Sequence, residues 1–169
     1  MAEGFETRFE ANYPDILRLA RARLAREHSP ISTVTLAHEL YLNLRDRENL
    51  EFTSAAHFMA YASRAMRSLL VDMARERLAQ KRCADVIPLT LSVAAPDLAG
   101  TPEQLIALDD ALARLGAADP RLMQVAELRV IMGMQVNEIA DALGISEPTV
   151  KRDWQRAKAF LHDVLEVAP

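Results

Sequence analysis

Seven side chains between Glu147 and Lys158 have types and spacing suited to reading a nucleic acid. Lys151, Arg152, Gln155, Arg156 and Lys158 fall on one face of a helix, with Glu147 and Thr149 at its N-terminal end. Such cations contact phosphate or guanine, glutamine reads adenine, glutamate reads cytosine, and threonine takes a base edge or a phosphate. On the opposite face Val150, Trp154, Ala157 and Leu161 recur at steps of four, three and four, the stripe of a buried helix side. Trp154 is therefore read as core rather than as a stacking platform. Pro148 is tolerated so near a helix start.

These residues need a mount. Just ahead lies Leu143-Gly144-Ile145-Ser146. Gly144 reaches positive φ cheaply and ends one helix in a left-handed turn. Ser146 then caps the next helix at once. Ala140, four residues before the glycine, is small enough for the helices to cross closely, and Ile139, Leu143, Ile145 and Val150 fill the corner. This is the spacing of a helix-turn-helix whose second helix enters the major groove. A plain αα corner with a solvated charged face is the bland alternative; the basic outer face of the second helix argues against it.

A second cationic stretch lies earlier. From Arg64 to Arg82 there are six positive residues (Arg64, Arg67, Arg75, Arg77, Lys81, Arg82) and two negative ones (Asp72, Glu76), a local balance of +4. The whole chain carries −4, but DNA senses a patch within a Debye length of roughly 8–10 Å, not the total.

The remaining elements read as helices. Of 169 residues, half are hydrophobic and 5% aromatic, with five glycines; strong helix formers dominate. A first helix is expected over Tyr13 to Glu27, with Asn12 as cap and Pro14 in its first turn. A second starts in Ser32-Thr33-Val34-Thr35 and runs to Arg45, and a long third spans Ser54 to Lys81. Residues 83–100, with Pro88, Pro96 and Gly100, lack a helical period. Ile87, Leu89 and Leu91 alternate like a short strand, but a flexible linker fits better. Thr101-Pro102-Glu103-Gln104 then opens a helix with a capping box, Gly116 ends it, Asp119-Pro120 opens one that Gly133 ends, and Val136–Leu143 and Glu147–Leu165 complete four. The expected architecture is all-α: a helical domain over 1–82, a linker over 83–100, and a helix-turn-helix domain over 101–169.

Several classes are excluded. Cys83 is the lone cysteine, so no internal disulfide or Cys-based zinc site is expected. His28, His38, His57 and His162 lack ligand spacing, and no metal or other cofactor is expected. Asp109 and Asp110 are adjacent and diverge by about 100° on a helix; with no Gly-rich phosphate loop either, an enzyme is not expected. No run of about 20 apolar residues spans a membrane, and the acidic start, Met-Ala-Glu-Gly-Phe-Glu, is unlike a basic signal peptide. A cytoplasmic protein is expected.

Leu36 to Leu44, reading Leu-Ala-His-Glu-Leu-Tyr-Leu-Asn-Leu, resembles the polymerase-binding helix of region two in sigma factors of the sigma-70 superfamily. Phe58 to Asp72 resembles the promoter-melting and −10-reading stretch that follows it, and the helix-turn-helix resembles their −35-reading region four. The likeness covers nearly the whole chain and is to the two-domain extracytoplasmic-function (ECF) group; Val150 to Trp154 and Leu69 to Arg75 resemble one branch of it. The resemblance implies that Leu36, His38, Glu39, Leu40, Tyr41 and Asn43 dock on the clamp helices of the β′ subunit of core RNA polymerase. The β flap is a further implied partner. It implies that Arg64, Arg67, Ser68, Arg75, Arg77, Lys81 and Arg82 grip −10 promoter DNA, and that the loop near Asn49 to Ser54 and the start of the next helix hold a flipped base of the non-template strand. Residues 83–100 would thread the RNA-exit path.

One place departs from the family. ECF factors carry acids just before the docking helix; here stand Ser32, Thr33, Val34 and Thr35. A helix cap at Ser32 or Thr33 suffices to explain one hydroxyl. Alternatively a Ser/Thr protein kinase phosphorylates Ser32, Thr33 or Thr35, with Thr33 and Thr35 favoured, supplying about −1.5 to −2 charge. An anti-sigma factor is the other implied regulator. The rival readings are a helix-turn-helix regulator that is not a polymerase subunit, and a protein that occupies polymerase without reading DNA.

Overall fold

The computed structural model describes residues 3–27, 31–46, 51–83 and 101–167. Helix α1 spans Phe5–Glu27 and so starts well before Tyr13, with Pro14 in its interior. This corrects the expected boundary. Asn12 is not a cap: its Nδ2 donates to the Arg8 carbonyl at 2.8 Å. The cause is aromatic packing. Phe9 is buried among the rings of Phe5, Tyr13, Tyr41 and Phe58, with centroids 5.1–6.2 Å away. Burying one such ring gains about 1.5–3 kcal/mol, and each good ring pair adds about 0.5–1.5. Together they outweigh the roughly 3 kcal/mol of an interior proline. Pro14 and Glu10 are exposed, so water can reach the carbonyl that Pro14 leaves without a donor.

Helix α2 spans Thr33–Arg45, and Ser32 caps it by accepting from the Thr35 N–H. Leu36, Ala37, Leu40 and Leu44 face inward. Helix α3 spans Ala55–Cys83, begun by Ser54, whose Oγ accepts from the His57 N–H at 3.0 Å. A two-residue antiparallel pair joins β1 (Glu3–Gly4) to β2 (Glu51–Phe52) and holds the chain's start against the entry to α3. Every other regular element of the described residues is a helix, as expected of an all-α fold.

Helix α4 spans Pro102–Ala118, opened by the capping box of Thr101 and Gln104. Gly116 lies inside it and does not end it. A Cβ there would come within 3.2 Å of Met123 Cγ, so the glycine serves the close approach of α4 to α5, Pro120–Val130. Asp119 ends the one and caps the other. Helices α6, Val136–Leu143, and α7, Glu147–Val167, follow.

Helix α3 packs along α4, α5 and α6. The buried apolar side chains form one cluster, from Phe9 in α1 to Leu161 in α7. The two expected domains therefore lie directly against each other. Residues 84–100, with the strand-or-linker reading of Ile87, Leu89 and Leu91, fall outside the described residues.

Candidate nucleic-acid interface

The corner between α6 and α7 follows from its residues. Gly144 has φ 63° and ψ 34°, and its N–H and that of Ile145 both return to the Ala140 carbonyl. The Ile145 bond is the six-to-one bond of a Schellman closure and the Gly144 bond the five-to-one bond of a left-handed cap. Ser146 Oγ receives the Thr149 N–H at 3.4 Å and pairs with Thr149 Oγ1 at 2.9 Å. Ile139, Ala140 and Val150 are buried at the crossing, with Leu143 and Ile145 half-buried.

On α7 the structure brings the sequence-selected residues to one open surface. Glu147, Lys151, Arg152, Gln155, Arg156 and Lys158 are exposed, and Thr149 is half-buried against its cap. Lys151 lies 3.9 Å from Glu147. Among the described residues α7 packs only on α4, α5 and α6, so this face is clear of the first three helices. It is a polar, largely cationic ridge on a fixed corner, a shape suited to a groove edged by phosphates.

The inner stripe of α7 differs from the expected one. Asp153 is fully buried and Trp154 only half-buried. Asp153 accepts from Arg121 of α5 through both carboxylate oxygens, at 2.7 and 3.3 Å. Sequence reasoning missed this residue, although 150, 153, 157 and 161 are also helically spaced.

The cationic stretch of α3 is divided. Arg64, Ser68, Arg75, Lys81 and Arg82 are exposed. Arg77 is half-buried and lines a groove with Leu70 and Ala74 against Pro102 and Leu105. Arg67, only 21% exposed, turns toward the second unit: Nε lies 3.1 Å from Asp109 Oδ1 of α4 and Nη1 lies 3.2 Å from Glu127 Oε1 of α5. Glu127 is 1% exposed. Burial pushes its carboxyl above the ordinary value of 4.5; the positive charges of Arg67 and Arg64 oppose the rise and Asp109 adds to it. Neither acid was singled out as a partner. The signal for Glu127 was a single charge within Val125-Ala126-Glu127-Leu128.

A further ion pair joins the halves. Arg18 of α1 meets Glu138 of α6 at 2.5 Å. The other oxygen of Glu138 takes the Gln135 N–H at 2.6 Å, at the start of α6.

On α2, Leu36 and Leu40, two of the expected docking residues, are wholly buried and belong to the core rather than to the helix's outer face. Val34 (60% exposed), Thr35, His38 and Glu39 form that face. Tyr41 and Asn43 are half-buried, and the Arg45 guanidinium stands 5.8 Å over the Tyr41 ring. The first turn of α2 carries no acid. Ser32 Oγ lies 2.8 Å from Thr35 Oγ1, and Thr33 is half-buried. Of the expected base-holding loop, Asn49 and Leu50 fall outside the described residues.

A family model described as "ECF sigma factor" matches residues 2–167. Comparisons with curated proteins and with solved structures gave no match.

Proposed function

This chain belongs to the ECF sigma factor family and so has a sigma factor's role in transcription initiation; from that membership we propose how its surfaces divide the work. The open face of α7 reads the −35 element, with Arg152, Arg156, Lys151 and Lys158 on phosphates or guanines, and Gln155, Glu147 and Thr149 on base edges. Arg64, Ser68, Arg75, Arg77, Lys81 and Arg82, joined by Arg67 when it is released, grip the −10 DNA. The outer face of α2, with Val34, His38, Glu39, Tyr41 and Asn43, meets the β′ clamp helices, while Leu36 and Leu40 stiffen that helix from within. The helix-turn-helix unit meets the β flap.

The observation that carries this reading is the exposed polar ridge on α7, fixed by the left-handed turn at Gly144 and, among the described residues, clear of the first three helices. The test is retention of the purified chain by core RNA polymerase, followed by run-off transcription from a candidate promoter. Retention plus a defined transcript, lost on Arg152→Ala with Arg156→Ala, is expected. DNA binding without retention would instead favour a helix-turn-helix regulator that is no polymerase subunit.

Kinase control of docking is a second layer of the reading. The acid-free first turn of α2 motivates it. Ser32 already serves as the cap, which leaves Thr35 and Thr33 as the better acceptors. A phosphate there would supply negative charge at a helix N-terminus, where the dipole favours it. No helix of the described chain is long and apolar enough to cross a membrane.

A further inference from the structure

We propose that buried Asp153 is a positioning residue for DNA binding, holding Arg121 and Arg152 side by side, and that Arg121 adds a backbone-phosphate contact from α5, outside the seven side chains of the reading face. The inference rests on the reading of α7 as a DNA ridge.

Two guanidiniums share one carboxylate. Asp153 is fully buried and accepts from Arg121 Nε at 2.7 Å and Nη2 at 3.3 Å. Arg152 Nε stands 3.7 Å from Oδ1 of the same group. Two cations around one anion leave a net positive charge, and both open outward: Arg121 is 49% exposed and Arg152 65%. Arg152 belongs to the exposed ridge of α7. Arg121 stands on another helix, yet the shared carboxylate brings it to the border of that ridge.

The geometry leaves Arg121 a second edge to use. A guanidinium carries five N–H donors in a fixed plane. Nε and Nη2 are taken by Asp153, and Nη1 has no partner among the described residues. Asp119, the nearest acid in sequence, accepts from the backbone N–H groups of Arg121 and Leu122 and does not draw the side chain aside. An arginine gripped along one edge has already lost most of the rotamer freedom that phosphate binding would otherwise cost. Its target is a phosphate rather than a base, because it projects from beside the recognition helix and not from the helix that enters the groove. The Asp153 charge repels DNA, while the order it imposes on two arginines favours DNA. These effects have opposite signs, and here the order prevails.

That opposition supplies the test. Fluorescence anisotropy of the full chain on a labelled random-sequence duplex, at several salt concentrations, reads phosphate contacts without a promoter. Circular dichroism melts confirm that each variant is folded. Asp153→Asn keeps the shape and removes one negative charge. Charge alone gives tighter binding; loss of positioning gives weaker binding, by roughly fivefold for two freed side chains. Arg121→Gln should weaken binding and flatten the slope of log K against log salt by about 0.9, the signature of one phosphate. Arg121→Lys still offers Asp153 a cation but no fork, so it should keep the slope and lose part of the affinity. Equal or tighter binding by folded Asp153→Asn overturns the positioning, and an unchanged slope for folded Arg121→Gln overturns the phosphate contact. If either of those variants fails to fold, Arg121→Lys decides, and wild-type affinity there overturns the inference. A wild-type chain that holds no duplex even at low salt removes the DNA ridge itself. Weakening by Arg156→Ala beside an inert Arg121→Gln removes Arg121 alone and leaves the reading of α7 standing.

Discussion

Arg121 grips Asp153 with two nitrogens, Nε 2.7 Å from Oδ2 and Nη2 3.3 Å from Oδ1. The carboxylate is fully buried and the guanidinium is 49% exposed. The pair is therefore asymmetric. Arg121→Ala leaves the buried carboxylate with only the longer contact to Arg152 Nε, 3.7 Å from Oδ1, and should cost about 3 kcal/mol, the low end for breaking a buried pair. Asp153→Ala leaves a cation that can rehydrate and should cost less. Urea denaturation of both variants, with equal m-values, measures the order.

The corner glycine makes a separate demand. At φ 63° a Cβ on Gly144 meets no atom within 4 Å, so the penalty of Gly144→Ala is backbone strain alone, about 1–2 kcal/mol. Gly144→Asn should be milder, because asparagine visits this region more readily. Thermal unfolding and −35 DNA binding should follow the same order.

Glu127 gives a pH signature. Its folded carboxyl titrates above the ordinary 4.5 because burial disfavours the charge. Between those two values the folded state binds more protons than the unfolded one, so stability falls as pH rises through the window and levels off above it. Glu127→Gln keeps the shape and cannot ionise. Its plot of urea midpoint against pH should lack this fall.

Phosphate contacts on α7 should appear as salt dependence. Where Arg152 or Arg156 lies on a phosphate rather than a guanine, its alanine variant should weaken DNA binding on all sequences alike. That variant should also make the slope of log K against log salt shallower by about 0.9 per lost phosphate. Gln155→Ala should instead relax the preference at one base pair, by about 1–3 kcal/mol. Fluorescence anisotropy at several salt concentrations separates the two behaviours.

At the start of α2, Thr33→Ala and Thr35→Ala should abolish kinase-dependent activation in a reconstituted run-off assay. Glutamate at the same position should restore part of it without kinase. Equal transcription by the alanine variants and wild type would end the phosphorylation reading.

Much of this fold follows from patterns visible in the sequence, and the exceptions share a cause. The caps at Thr101, Asp119 and Ser146, and the turn at Gly144, are local, so residue type alone located them, and it narrowed the cap of α2 to Ser32 or Thr33, of which Ser32 is the one. The start of α1 is not local. Proline in a first turn is the ordinary reading, and only the rings of Tyr41 and Phe58, from other helices, make the longer helix worthwhile. Gly116 likewise reads as a stop until Met123 comes against it. On α7 the larger apolar side chain, Trp154, drew the core assignment away from Asp153. A charge is placed inside only when its partner is known, and Arg121 lies on another helix. Arg67 met the same difficulty: its sequence neighbours point to DNA, while Asp109 and Glu127 reach it from α4 and α5.

Glu138 divides its two oxygens between Arg18 across the seam and the Gln135 N–H at the start of its own helix. Separation of the halves takes away the first partner and spares the second. The reading head would thus leave the dock already assembled, with no turn left to wind. Its arrival on a promoter would be paced by undocking and diffusion rather than by refolding, and little further ordering entropy would be charged against the encounter.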